Sequence, residues 1–137
     1  MLPIPSNPGG TTSEMAEKPK VTVYVVDDEE VICSTLAAIL NQSGFHALAF
    51  ISAKDALQAA ESEAPDLLIT DVNMPDMNGI DFAIQVESGF PSCKILLFTG
   101  YGNTFRLLED ARRQGHDFNI LSKPVSPREL LAAMRRL

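Results

Sequence analysis

The sequence VTVYVVDD, residues 21–28, is an apolar run that ends in two adjacent aspartates. The run is too short for a typical helix and lacks a clean alternation of polar and apolar residues, which is the pattern of a strand covered on both faces. Further short apolar runs lie at residues 47–51, 67–70, 95–98 and 118–121. We therefore predict five buried strands, the first of which carries Asp27 and Asp28 at its carboxyl end.

Stretches with helical spacing separate these runs. In the first of them, Ile32, Leu36 and Ile39 recur at intervals of three to four residues. The fourth stretch extends over residues 103–114 and the fifth over residues 127–137. Strict alternation of strands and helices favours right-handed crossovers and a parallel sheet with helices on both faces. The predicted fold is therefore α/β, a three-layer, doubly wound domain with a five-stranded parallel sheet.

Residues at the predicted helix ends agree with these boundaries. Gly44 and Gly115 follow the first and fourth predicted helices, where a left-handed residue often ends a helix. The sequence Ser126-Pro127-Arg128-Glu129 has the pattern of a capping box, with proline at the first helical position. We therefore predict that the last helix begins at Pro127.

Length and composition predict one domain. The chain has 137 residues, of which 45% are hydrophobic, enough for a core without disulfides or a structural metal. Residues 1–19 are rich in proline, glycine and small polar residues, and we predict a flexible arm there, either native or derived from a vector. The domain then comprises residues 20–137. Because the last predicted helix runs to Leu137, we expect no output module after it, which is compatible with a stand-alone regulator, a relay intermediate or part of a longer protein.

The net charge of −7 is unevenly distributed. Residues 21–103 hold twelve acids against two lysines, and residues 104–137 carry a net charge of +3. Most of the surface field of such a chain repels phosphates, so we predict no direct nucleic-acid binding. An acidic body can still hold a metal cation.

The sequence lacks the features of a membrane or secreted protein. It has no run of 18 apolar residues, and its first 20 residues lack the basic start and apolar stretch of a secretory signal. Its two cysteines are compatible with a reducing compartment. We predict a cytoplasmic protein that does not enter the membrane.

Polar side chains follow four of the predicted strands. Asp27 and Asp28 follow the first, Asp71 the third, Thr99 the fourth, and Lys123 stands just beyond the fifth. Each alone has an ordinary explanation, such as a helix cap, a turn or a solvated surface residue. Together they indicate a site, because ligands of doubly wound sheets bind outside the carboxyl ends of the strands.

The residue types at these ends suit one kind of chemistry. Three carboxylates brought together repel one another unless a cation is present, and Mg²⁺ takes oxygen ligands while keeping waters for a phosphoryl substrate. Lys123 adds positive charge, and the hydroxyl of Thr99 is a small donor for an oxyanion. These are the parts needed to receive a phosphoryl group on an aspartate.

The ordered motifs of the chain resemble the receiver domain of two-component response regulators. They are Val25-Val26-Asp27-Asp28-Glu29, the loop sequence Asp71-Val72-Asn73-Met74-Pro75-Asp76-Met77-Asn78-Gly79, then Phe98-Thr99-Gly100, and Ser122-Lys123-Pro124. The resemblance covers residues 21–137. It implies a (βα)5 flavodoxin-like fold with strand order 2-1-3-4-5.

The resemblance also implies a role for each matched residue. Asp71 would be the phosphoacceptor, and Thr99 and Lys123 would contact the phosphoryl oxygens. The Lys123–Pro124 bond would be cis. The ligands of Mg²⁺ would be Asp28, Asp71 and the backbone carbonyl of Asn73, with Asp27 helping directly or through water.

A receiver is a phosphoacceptor signalling domain rather than an enzyme, although it promotes its own phosphotransfer and autodephosphorylation. The resemblance implies a sensor histidine kinase or a histidine phosphotransfer protein as the phosphoryl donor. It further implies a conformational switch on phosphorylation. Homodimerisation through the face of helix 4, strand 5 and helix 5 is one prediction for the basic C-terminal third, and a solvated surface is the other.

One position departs from the family pattern. Receivers usually carry Tyr or Phe three residues before the lysine, and this chain has Ile120 there. Phe118 lies two residues earlier, which places it on the same face of the strand at a different depth. The departure leaves phosphorylation intact and puts coupling through an aromatic rotamer in doubt.

Three other functions remain as alternatives. A flavin-binding module of this fold needs a phosphate loop after the first strand, where Asp27-Asp28-Glu29-Glu30 would repel phosphate. A metal-dependent aspartyl phosphatase tends to carry its nucleophile after the first strand, whereas Asp71 follows the third. A receiver-like module that binds a partner without being phosphorylated is disfavoured by the complete set of matched acceptor residues.

Overall fold

A parallel sheet of five strands forms the centre of the computed structural model, which describes residues 20–100 and 105–137. Strands β1 to β5 are Thr22–Val26, His46–Phe50, Leu67–Asp71, Lys94–Thr99 and Asn119–Ser122. Helices α1 to α5 are Glu30–Gln42, Ala53–Ala60, Gly79–Gly89, Phe105–Arg113 and Pro127–Arg135. The strand order is β2-β1-β3-β4-β5, and every neighbouring pair is parallel. The predicted fold class and strand order are therefore confirmed.

The boundaries differ from the sequence prediction at a few ends. Asp71 and Thr99 are the last residues of their strands rather than the residues after them, because the ladders extend to the pairs Asp71 with Phe98 and Thr99 with Ser122. Helix α5 ends at Arg135 instead of Leu137. The predicted start of the fourth helix at residue 103 and the predicted arm over residues 1–19 lie outside the described residues.

Two hydrophobic layers cover the sheet, one on each face. Alternate side chains of β1 divide between them, with Val23 and Val25 on one face and Tyr24 and Val26 on the other. Helices α1 and α5 pack on the face that holds Val25. Helices α2, α3 and α4 pack on the opposite face. Both faces of the central strands β1, β3 and β4 are thus buried, which explains their uninterrupted apolar sequence. The prediction of five buried strands is wrong for the two edge strands, since β2 is only partly buried and β5 has no buried residue.

The predicted helix ends are present in the structure. Gly44 and Gly115 have φ angles of 98° and 95°, in the left-handed region that glycine adopts without strain. The Ser126 hydroxyl accepts a hydrogen bond from the Glu129 amide at 3.1 Å, and the Glu129 carboxylate accepts one from the Ser126 amide at 3.2 Å. Helix α5 therefore begins with the predicted capping box and Pro127.

The helices are short compared with the thickness of a bilayer. The longest described helix, α1, has 13 residues, whereas spanning the hydrocarbon core takes about 20. Within residues 20–100 and 105–137, no helix is long and apolar enough to cross a membrane.

Gly79 allows the loop after β3 to fold back on the strand end. Its amide donates a hydrogen bond to the Val72 carbonyl at 2.8 Å. A Cβ atom at this position would lie 2.0 Å from the Asp71 carbonyl oxygen and 2.7 Å from the Val72 Cα, and both of these atoms belong to the backbone. The Asn78 side chain caps the same turn by accepting from the Ile80 amide at 2.7 Å. The loop therefore has no room for a side chain at Gly79, and its closure fixes the end of β3.

We predict that Gly79→Ala lowers the free energy of unfolding by about 2–3 kcal/mol, because the backbone of Asp71 and Val72 must move to admit the methyl group. Chemical denaturation monitored by circular dichroism measures this change. Gly89→Ala is the matched control, since it lies in the same helix with no heavy atom near its added Cβ. Equal effects of the two substitutions would contradict the packing constraint at Gly79.

Candidate functional site

Three carboxylates meet at the carboxyl edge of the sheet. Strands β1 and β3 are neighbours in which Val26 pairs with Thr70, so the next residues, Asp27 and Asp71, project at the same level. Asp27 is fully buried and Asp71 is 4% exposed, whereas Asp28 is exposed. One carboxylate oxygen of each of the three aspartates lies within 4.8 Å of the others.

Lys123 supplies the positive charge that faces these acids. Its Nζ lies 3.2 Å from Oδ2 of Asp27 and 3.3 Å from Oδ2 of Asp71. Its amide donates to the Thr99 carbonyl at 3.0 Å, which ties the end of β5 to the end of β4. The Lys123–Pro124 peptide bond is cis, in agreement with the expectation from the motif.

Burial dominates the electrostatics of the two inner aspartates. Loss of water raises the pKa of both Asp27 and Asp71, although Lys123 acts in the opposite direction on each. The Glu29 amide donates to Asp27 at 2.8 Å, which also favours the charged form. Burial lowers the pKa of Lys123, but the attraction of Asp71 and Asp27 outweighs it and raises that pKa overall. Ionisation of these two buried aspartates therefore costs free energy, and further positive charge at the site would reduce that cost.

The donor set fits Mg²⁺. This ion prefers oxygen ligands and is usually bound by one or two carboxylates together with waters, and the cluster combines buried and exposed carboxylates. Lys123 neutralises only one of the three negative charges. Asp28 and Asp71 also line an open cleft of about 740 Å³, so an ion there would be in reach of solvent and of a phosphoryl donor.

The remaining predicted residues lie beside this cluster. Thr99 is half-buried at the end of β4, next to the strand that carries Asp71. Asn73 is exposed, and its amide donates to Oδ1 of Asp71 at 3.3 Å. Asn73 and Lys123 line the cleft, together with Gly100 after β4. The structure therefore gathers the residues of the four quoted motifs at one edge of the sheet.

Two contacts at the site were not predicted from the sequence. The Lys123 ammonium lies over the ring of Phe98, 5.0 Å from its centroid. The Asp76 carboxylate accepts a hydrogen bond from the Lys54 amide at 3.2 Å, which joins the loop after β3 to the start of α2. The sequence shows an aromatic residue directly before Thr99, but nothing in it indicates that this ring faces the lysine.

The residue in the place of the family aromatic is on the surface. Ile120 is 45% exposed on β5. Phe118, the nearby aromatic residue, is partly buried against the layer formed by α2, α3 and α4, and its ring stacks on His116 with centroids 6.1 Å apart. The His116 ring is also 2.6 Å from the Glu87 carboxylate at the end of α3.

These features define a receiver domain. The family model described as the response regulator receiver domain matches residues 23–135, and the chain belongs to this family. The family consists of domains of response regulators, which fits a role in two-component signalling rather than that of a classical enzyme.

Named relatives agree with this assignment. The chain is 33% identical over 116 residues to the transcriptional regulatory protein CreB of Escherichia coli K12, covering 85% of this chain and 50% of CreB. It is 33% identical over 117 residues to the DNA-binding transcriptional regulator NtrC of Proteus hauseri, covering 85% of this chain and 24% of NtrC. The chain thus spans half or less of the length of these two curated relatives.

Solved structures share the fold. The chemotaxis protein CheY4 of Vibrio cholerae is similar with a TM-score of 0.77 and 28% identity, over 86% of this chain and 98% of that one. The signal receiver domain of an HD domain-containing protein from Pseudomonas fluorescens Pf-5 gives a TM-score of 0.78 and 30% identity, over 86% and 94% of the two chains.

We predict that Asp27→Asn stabilises the metal-free protein at pH 7, with a melting temperature higher by about 2–5 °C. Burial raises the pKa of Asp27 in the folded state above its value in the unfolded chain. The stability contributed by the protonated side chain is therefore complete at a pH below the unfolded-state pKa. It is lost as the pH rises through the folded-state pKa and the buried carboxylate ionises. The asparagine avoids that loss. Differential scanning calorimetry in a chelator measures the change.

The gap between Asp27→Asn and the wild type should narrow as the pH falls through the raised pKa of Asp27, because the wild-type carboxylate then becomes neutral. Glu61→Gln is the control, since Glu61 is an exposed acid at the carboxyl end of α2 and does not belong to the aspartate cluster. A lower melting temperature for Asp27→Asn than for the wild type at pH 7 would show that the ionised Asp27 carboxylate does not destabilise the folded protein.

Proposed function

We propose that this receiver domain accepts a phosphoryl group from a phosphohistidine donor onto Asp71 in a Mg²⁺-dependent reaction and changes conformation to signal. The observation that carries the proposal is the position of the Asp71 carboxylate, which lies in the cluster of three aspartates, 3.3 Å from the Lys123 ammonium and open to the cleft. A carboxylate placed beside positive charge and open to a cleft can act as a nucleophile and form an aspartyl phosphate.

In the proposed transfer, an Asp71 carboxylate oxygen attacks the phosphorus atom in line with the departing imidazole. The bond between phosphorus and the donor nitrogen breaks, and a bond between phosphorus and the Asp71 oxygen forms. Lys123 stabilises the charge on the transferred oxygens, and Thr99 donates a hydrogen bond to one of them. Hydrolysis of the acyl phosphate by water resets the domain.

The metal would be held by Asp28, Asp71 and the backbone carbonyl of Asn73, with Asp27 helping directly or through water. The bound ion would supply positive charge next to the transferred oxygens. The chemistry of the donor set supports this assignment, because all three side chains are carboxylates and two of them are buried without enough positive charge to balance them.

The switch follows from the charge that phosphorylation adds. The new negative charge at Asp71 draws Thr99 and Lys123 toward it and shifts an existing equilibrium of the adjacent loops. In this chain, Ile120 is already exposed and carries no ring to turn inward. We therefore assign the response to Thr99, Lys123 and the loop that follows β3.

The proposed donor is a sensor histidine kinase or a histidine phosphotransfer protein, which this domain would meet in the cytoplasm. The relatives CreB and NtrC are named as transcriptional regulators, and we propose that the output of this chain is produced by a further segment or by a partner protein.

We take residues 20–137 as the receiver domain and residues 1–19 as an arm. A homodimer would use the face of α4, β5 and α5, where exposed Phe105 and Ile120 accompany the basic residues.

A receiver-like module that binds its partner without phosphorylation is the second candidate, and an aspartyl phosphatase is a distant third. Both share the fold and the acidic cluster. They differ from the proposal in whether Asp71 retains a phosphoryl group, which a direct measurement decides.

We predict that a small phosphodonor such as acetyl phosphate, with Mg²⁺, adds one phosphoryl group to the wild-type protein, as read by intact mass. Asp71→Asn should abolish the addition, because an amide does not act as the nucleophile. Asp76→Asn, which alters an exposed carboxylate of the same loop, should retain it. Addition of a phosphoryl group to the Asp71→Asn variant, or no addition to the wild-type protein, would refute the assignment of Asp71.

We predict that Mg²⁺ binds with a dissociation constant of about 1 mM or somewhat below, and that Asp28→Ala weakens binding about tenfold because it removes a carboxylate ligand. Isothermal titration calorimetry measures both values. Glu30→Ala is the control for general loss of negative charge, since Glu30 is an exposed acid in the first turn of α1. Equal weakening by both substitutions would argue against direct ligation by Asp28.

A further inference from the structure

Phe98 is a buried aromatic residue in contact with the site. It is 1% exposed, and its side chain belongs to the hydrophobic layer between the sheet and helices α1 and α5. It also lines the cleft that contains Asp71 and Lys123. The ammonium of Lys123 lies 5.0 Å from the centroid of its ring. A hydrophobic layer and the polar site therefore meet at this one side chain.

The sheet register explains why the ring stands there. Phe98 pairs with Asp71 on β3 and with Leu121 on β5, two residues before Lys123. Because side chains two residues apart on a strand share a face, Lys123 comes out on the side of the sheet that holds Phe98 and Asp71. The ring thus lies on the strand between the acceptor carboxylate and the lysine.

The ring restrains the lysine in a way that a carboxylate cannot. The ammonium has three donors, and two carboxylates lie within 3.3 Å of it. The face of an aromatic ring attracts a cation through its quadrupole and competes for no directed hydrogen bond. The ring therefore helps to hold Lys123 near Asp71 without using any of its donors, and the donor that faces neither Asp27 nor Asp71 stays available to an incoming phosphoryl oxygen. Without the ring, its flexible stem would sample more of the open cleft.

We propose that Phe98 is a positioning residue for Lys123 and that its aromatic face, beyond its volume, sets the rate at which Asp71 is phosphorylated. The rate effect rests on the proposed function of Asp71. The contact between ring and ammonium does not, and it can be tested in the unmodified protein. The competing explanation is that Phe98 serves only to fill the hydrophobic layer.

The first test replaces Phe98 with 4-fluoro-, 3,5-difluoro- and 3,4,5-trifluorophenylalanine by site-specific incorporation. Fluorine withdraws electrons from the ring face and changes its volume little. With acetyl phosphate and Mg²⁺, we expect the phosphorylation rate to fall with each step of the fluorinated series, to about a third of the wild-type rate in the trifluorinated variant. We expect Phe98→Leu to lower the rate about fivefold. Equal rates across the fluorinated series would overturn the proposal, because a role in packing alone is insensitive to ring electronics.

Phe82→Leu is the matched control for the loss of a buried ring. Phe82 is also 1% exposed, but it lies in the layer on the opposite face of the sheet. We expect Phe82→Leu to lower the melting temperature about as much as Phe98→Leu and to leave the phosphorylation rate within about twofold of the wild type. A loss of rate in both leucine variants in proportion to their loss of stability would overturn the proposal.

The second test reads the contact without phosphorylation. The side-chain protons of Lys123 that lie above the Phe98 ring should resonate upfield of the corresponding protons of other lysines in the nuclear magnetic resonance spectrum of the unmodified protein. The shift should disappear in Phe98→Leu and persist in Phe82→Leu, and its absence from the wild type would overturn the proposal. If the wild type showed the shift yet accepted no phosphoryl group, the proposed function would fail while the contact stood.

Discussion

The burial of two carboxylates against one lysine is the constraint on which the site depends. Asp27 and Asp71 are almost completely removed from water, and an isolated ionised carboxylate in such a place would be too costly to keep. The ammonium of Lys123 contacts both of them. One positive charge does not balance the cluster, so the site is suited to a further cation and responds strongly to any change in charge at Asp71.

The parallel sheet meets this constraint by bringing strand ends together that are far apart in the chain. Asp27 and Lys123 are separated by 96 positions, yet their side chains are 3.2 Å apart. The register between β1 and β3 sets the two aspartates side by side, and the backbone bond from Lys123 to Thr99 fixes the last strand end. The tight turn at Gly79 holds the loop after Asp71. Packing on both faces of the sheet thus determines the geometry of the charges at its edge.

Much of this arrangement could be predicted from the sequence, because its signals are local. Apolar runs mark the strands, and the polar residues at the ends of four of them reach the same sheet edge, as Asp27 and Asp71 do. Strand ends were less predictable, since Thr99 extends its ladder by pairing with Ser122. The contact of Phe98 with Lys123 was not predictable, because it depends on the depth of a ring and the path of a long side chain after β5. The local sequence pattern predicts which face of a strand or helix a residue occupies, whereas the contacts of its side chain depend on tertiary packing.

Chemical mapping of the phosphorylated residue identifies the phosphoacceptor directly. Treatment of the phosphorylated protein with borohydride reduces an aspartyl phosphate to homoserine, and mass spectrometry of the peptides then locates the change. We predict homoserine at position 71 alone, since Asp71 is the carboxylate that both lies beside Lys123 and opens to the cleft. Homoserine at position 28 or 76, or at no position in a protein that carries the phosphoryl group, would contradict it.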